Sequence, residues 1–114
     1  MDIFRVNPEY YNNIYGCDLF LSEKQSLYKK DYDASKSYEK WLDKKLRFLD
    51  TEGLDVINKF PQVFEKLSDT SDLYCIRKIT RNKNPRILFF AIIEEEEDPA
   101  FVLLTAFHES NNGD

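Results

Sequence analysis

Between residues 73 and 110 the apolar positions either alternate with polar ones or run together in short blocks: "LYCIRKIT", "PRILFFAII" and "AFVLLTAFHES". These blocks are rich in Ile, Val, Phe and Tyr and are separated by breakers, which is the pattern of strands rather than helices. The Asn84-Pro85 pair in the link "RNKNP" favours a turn between the first two, and Pro99 closes the acidic link before the third. The closing third therefore predicts a three-strand antiparallel meander.

Upstream the period changes. Over residues 35–50, Tyr38, Trp41, Leu42, Leu46 and Leu49 recur at helical spacing, with Lys40, Asp43, Lys44 and Arg47 between them. That spacing predicts an amphipathic helix, started by a Ser35 or Ser37 cap and stopped at Gly53. Its Trp41 stripe matches a face that must be buried, so it reads as core. A shorter helix over residues 54–67, broken or restarted at Pro61, would turn Val56, Ile57, Phe60, Val63, Phe64 and Leu67 toward the sheet. In the first thirty-three residues "MDIFRV" and, after Gly16, "CDLFL" read as strands, and Ser22-Glu23-Lys24-Gln25 has the form of a capping box opening a helix. Their pairing is open. Tyr10, Tyr11 and Tyr15 fit half-buried packing better than a contact surface. The expected fold class is α+β, a small antiparallel meander sheet packed against N-terminal helices. It forms a single domain over 1–114, with an ill-defined N-terminal stretch 1–33, helices over 34–67 and the meander over 73–110.

Composition narrows the chemistry. A chain of 114 residues holds one modest core, and 15% aromatic residues can fill it. The longest apolar run, residues 87–93, is far short of a membrane span, and "MDIFRVNPEYYNN" lacks the basic and apolar regions of a signal peptide, which points to a cytosolic protein. Cys17 and Cys75 have no metal-like spacing and read as free thiols. With one histidine, three glycines and no phosphate-cradling motif, neither a metal nor a nucleotide cofactor is expected. Nor does any Ser/His or Cys/His spacing single out a hydrolase.

A net charge of -5 argues against generic nucleic-acid binding, but the charges are segregated. Arg77, Lys78, Arg81, Lys83 and Arg86 fall within one strand-turn-strand unit, while Glu94, Glu95, Glu96, Glu97 and Asp98 form the next turn, read as a solvated hairpin loop. If the first strand alternates, Arg77 shares a face with Leu73, Cys75 and Ile79, and Arg86 opens the next strand beside it. His108 ends the third, and a meander would bring it toward the same edge or face. Charge within a strand needs a reason. Clustered arginines suit the stabilisation of a developing phosphorane, and a histidine suits proton transfer. Arg77, Arg86 and His108 are thus the candidate catalytic residues of a site for metal-free RNA cleavage or for phosphate binding by clustered cations. Lys78, Arg81 and Lys83 are candidate RNA contacts, although the turn residues Arg81 and Lys83 also fit plain surface.

The order helix, helix, "LYCIRK", "NPRILFF", "VLLTAFHES" resembles the RelE/ParE superfamily of bacterial toxins, most closely its phage-derived, HigB-like branch; the resemblance covers roughly residues 38–110. It implies a small antiparallel sheet wrapped by two N-terminal helices. It also implies a type II toxin, in ribosome-dependent members an mRNA interferase acting in the ribosomal A site and held inactive by a DNA-binding antitoxin, here expected to be a helix-turn-helix protein. Arg77 matches the basic residue of the family's first active strand, and Arg86 the arginine that leads the next. The strand end departs from the pattern: many relatives carry Arg or Lys where this chain has His108, Glu109 and Ser110. The further side chain that a C-terminal helix brings in many relatives has no counterpart before Asp114. The alternative is a non-catalytic member of the same fold, either a DNA gyrase inhibitor or an attenuated antitoxin-binding or phage regulatory protein.

Overall fold

The computed structural model describes residues 2–69, 71–78 and 84–109 and shows an α+β fold. In chain order the elements are β1 (Ile3–Arg5), β2 (Ile14–Cys17), α1 (Asp18–Ser26), α2 (Tyr32–Glu52), a 3-10 turn (Gly53–Asp55), α3 (Val56–Lys59), β3 (Phe64–Lys66), β4 (Leu73–Arg77), β5 (Asn84–Ile92) and β6 (Ala100–Glu109). The strands make one six-stranded sheet in the order β1-β2-β6-β5-β4-β3. Every neighbouring pair is antiparallel except β2 with β6, which is parallel. The expected meander β4-β5-β6 is its centre.

The strand register divides the side chains into two faces. Ile14, Phe64, Tyr74, Ile76, Ile87, Phe89, Phe101 and Leu103 join Phe20 of α1, Tyr38, Leu42, Leu46 and Leu49 of α2, and Val56 of α3 in one buried cluster. Burying each large side chain of this kind contributes roughly 1.5–3 kcal/mol, so this layer contact dominates the stability of the fold. A bulge in β6 keeps the pattern consistent: Leu88 faces Thr105 but Phe89 faces Leu103, leaving Leu104 as the extra residue. Because of that extra residue Val102 and Phe107, of opposite parity, point to the same face, away from the helices.

The long helix starts earlier than its apolar stripe. Asp31 is its cap, accepting from the Ala34 amide at 3.0 Å, so neither Ser35 nor Ser37 is needed. It ends as expected at Gly53. The second helix is shorter than its apolar residues suggested: only Val56–Lys59 is α-helical, Pro61 opens a turn, and Phe64–Lys66 is an edge strand paired with β4. Pairing with β4 explains the difference, since Phe64 opposes Ile76 in the core while Glu65 opposes Cys75 on the other face and is exposed. Leu67 is 44% exposed and does not join the core.

The N-terminal residues also differ from expectation. The strand before α1 is Ile14–Cys17 rather than the segment after Gly16, and Ser22 lies inside α1 instead of capping it. α2 fastens this segment. Asp50 accepts from the amides of Asn12 at 2.9 Å and Asn13 at 2.7 Å, and the Tyr11 hydroxyl donates to the Asp43 carboxylate. Cys17 and Cys75 are buried and free. No helix among the described residues is long and apolar enough to cross a membrane.

Candidate functional site

The face of the sheet turned away from the helices is built in cross-strand rows. One row is Phe107, Arg86 and Arg77; the next is Thr105, Leu88, Cys75 and Glu65; a third is Tyr15, Val102, Phe90 and Leu73. The cluster shared with α2 and α3 lies on the opposite face; here Cys75 and Val102 are buried while Phe90 and Ile92 remain 40% and 41% exposed. The first two rows floor an open depression of about 490 Å³, bounded by Arg77, Arg86, Glu65 and Glu109 with Cys75 and Phe107 beneath them.

Arg77 and Arg86 are direct partners across β4 and β5. Like charges at such positions destabilise a sheet unless each finds a counter-charge. Each does. Arg77 Nη1 lies 3.2 Å from Glu65 Oε2, while its Nε donates to the Gln62 carbonyl at 2.9 Å and its Nη2 to the Pro61 carbonyl at 3.4 Å. Arg86 Nε lies 2.7 Å from Glu109 Oε2, and its Nη1 donates to the Pro85 carbonyl at 3.4 Å. The guanidinium groups are held by backbone oxygens from behind and capped by carboxylates from the sides. Beneath them the Cys75 thiol is pushed up to about 11 by burial, so at neutral pH it is a protonated, unreactive thiol.

The other expected members of the site lie elsewhere. His108 pairs with Pro85, one residue out of step with the arginine row, and therefore points to the helix side. There its Nε2 lies 3.2 Å from the Leu27 carbonyl and its ring meets Tyr28 edge-on at 5.1 Å. The convergence of His108 with Arg77 and Arg86 is thus corrected: two-residue periodicity puts the histidine on the opposite face, and it cannot move a proton at the arginine pair. Lys78 follows the same rule, with its Nζ 5.6 Å from the centre of the Trp41 ring. Arg81, Lys83, Ile79 and Ser110 lie outside the described residues.

Two residues of the site were not foreseen as members. Glu65 was hidden inside the apolar count of residues 54–67; the usable signal was Pro61 followed by the alternation Phe64-Glu65. Glu109 stands out in the sequence only as a departure from the family's basic strand end, whereas it is the ion-pair partner of Arg86. Among the described residues no group of three or more His, Cys, Asp or Glu is placed to hold a metal ion. The donor set instead suits anion recognition. Two adjacent planar guanidinium groups can engage phosphate or carboxylate oxygens, and could stabilise charge developing on a phosphoryl centre, once the capping carboxylates yield. No protein-family profile matches the chain, and no curated protein or solved structure is significantly similar to it.

Proposed function

We propose that the protein is the toxin of a type II toxin-antitoxin module of the RelE/ParE kind, acting on messenger RNA at the ribosome and neutralised by a cognate helix-turn-helix antitoxin. The observation that carries this reading is the direct cross-strand pairing of Arg77 with Arg86 on the face of the sheet opposite the buried cluster formed with the helices. In this reading the two arginines bind the scissile phosphate and stabilise the charge that develops on it, without metal or cofactor. His108 has no part in the chemistry. Such a target implies a cytoplasmic protein.

Induced expression followed by primer extension on cellular mRNA tests the proposal. Wild-type protein is expected to give new, codon-linked 5′ ends that disappear in Arg86→Ala and Arg77→Ala. Growth arrest with intact mRNA would count against it.

A second reading, a non-catalytic member of the same fold, is favoured by a specific observation. The arginines are neutralised by Glu65 and Glu109, and no histidine stands on their face. Such a protein would inhibit DNA gyrase or chiefly bind its antitoxin. Loss of supercoiling in a gyrase assay, with mRNA left intact, would reverse the ranking.

A further inference from the structure

Along the sheet the four charges of the site stand in the order Glu109, Arg86, Arg77, Glu65, with one acid on β6 and the other on β3 bracketing the arginine pair. Their surroundings differ. The arginine side chains are 13% and 30% exposed and are anchored by the carbonyls of Pro85, Gln62 and Pro61. The glutamates are 54% and 47% exposed. Exposed ion pairs of this kind are weak, so the carboxylates can leave while the guanidinium groups stay in place. A ligand oxygen would then take over the same donors, Nη1 of Arg77 and Nε of Arg86, without rebuilding the site.

Displacement has a consequence for the choice of ligand. An isolated anion at one arginine exchanges one carboxylate for another negative group and still faces the second glutamate nearby. A chain of phosphates displaces both carboxylates in one binding event, because the second contact becomes intramolecular. We propose that Glu65 and Glu109 are displaceable counter-ions that act as a brake on the arginine pair. They admit a ligand that presents anionic oxygens to both arginines together, as the backbone of single-stranded RNA does, and turn away single anions. This inference rests on the reading of Arg77 and Arg86 as phosphate-binding residues.

Fluorescence anisotropy with a short labelled single-stranded RNA, with and without inorganic phosphate, tests it on wild type, Glu65→Gln/Glu109→Gln and Arg77→Ala/Arg86→Ala. Glutamine retains an oxygen acceptor for each arginine, and circular dichroism before titration verifies folding; the two single Gln variants serve if the double variant fails to fold. Removing both acids should tighten RNA binding roughly three- to thirtyfold at low salt, with each single variant giving part of the gain. It should also make binding sensitive to phosphate concentrations that leave wild type unaffected. If the Gln variants bind RNA no more tightly than wild type while the Arg77→Ala/Arg86→Ala protein loses binding, the brake is wrong and the phosphate-binding reading stands. If RNA binding is indifferent to both arginines, that reading falls and the brake falls with it.

Discussion

His108 on β6 is joined to Leu27, just past the end of α1, by a 3.2 Å hydrogen bond from its Nε2 to the Leu27 carbonyl oxygen. Because the acceptor is a carbonyl, Nε2 is the donor of this bond; Nδ1 is buried and meets no hydrogen-bond partner among the described residues. The ring also packs on Tyr28, which packs on Tyr38, which stacks on Trp41. The chain's one histidine thus ties the end of the sheet to the helical layer.

A structural role predicts that His108→Ala destabilises the fold by about 1–3 kcal/mol, through a lost hydrogen bond and a small cavity, while folded protein keeps its arginine-dependent activity. His108→Gln, which can still donate to Leu27, should recover part of the loss. Urea denaturation alongside an activity assay distinguishes the roles: an Ala variant as stable as wild type but inactive would restore the histidine to the chemistry.

Glu23 supports the same edge of β6. β2 ends at Cys17, so β6 runs on without its parallel neighbour, and α1 takes that place: the Glu23 carboxylate accepts from the Thr105 hydroxyl and, at 3.3 Å, from the Ala106 amide. Glu23→Ala leaves both donors without that acceptor and is expected to lower stability by about 1–3 kcal/mol. Glu23→Gln, which keeps an acceptor oxygen, should lose less. Hydrogen exchange gives a local readout, in which the Ala106 amide exchanges faster in the Ala variant than in wild type.

The elements that were legible in the sequence are those whose burial obeys one period over many residues. The Tyr38, Leu42, Leu46, Leu49 stripe gives α2, and the apolar run of Leu73–Arg77 and the alternating β5 give adjacent strands that carry Arg77 and Arg86. Their register, and the inclusion of Asn84-Pro85 in β5 rather than in the turn before it, come from the pairing with β4 and β6. Where a segment is short, apolar content alone is ambiguous. Phe60, Val63, Phe64 and Leu67 fit a helical count, yet Pro61 breaks it and the sheet edge claims Phe64. The parallel pairing of β2 with β6 brings together residues almost ninety positions apart, which no local pattern encodes. The face of His108 was missed for a simpler reason. A polar residue at a strand end carries no mark of the face it belongs to, and its partners, Leu27 and Tyr28, come from a segment whose placement depends on the whole fold.

Gly53 ends α2 at φ 64° and ψ -147°, a backbone region that side-chain-bearing residues rarely enter. Space is not the constraint there, since an added Cβ would lie 3.7 Å from Pro99 Cγ, an ordinary contact. Gly53→Ala is therefore expected to cost about 1–3 kcal/mol purely through backbone strain, read as a fall of several degrees in Tm. An unchanged Tm would show that the chain leaves this helix end by another route.

Alkaline pH should loosen the fold through three buried groups. Burial, reinforced by the hydrogen bond to Asp43, raises the pKa of Tyr11; burial foremost raises that of Tyr38; and burial pushes the Cys75 thiol from its ordinary value of 9.0 up to about 11. In each case the folded state holds its proton to higher pH than the unfolded state does. Between the two pKa values the unfolded chain therefore binds fewer protons, and unfolding becomes more favourable as pH rises. The stabilising contribution is complete below about pH 9 and declines as pH climbs toward and through 11 for Cys75, with the tyrosines extending the decline from their ordinary value of 10.0 upward. Urea midpoints measured at about pH 8, 9.5 and 10.5 should fall, gently over the first interval and more steeply over the second. Cys75→Val keeps the site apolar and removes one titrating group, so its midpoint should fall less steeply between the first two points, and Tyr11→Phe should flatten the later part. Midpoints that stay level to about pH 10.5 in wild type would mean that these groups are not shielded from water as their burial requires.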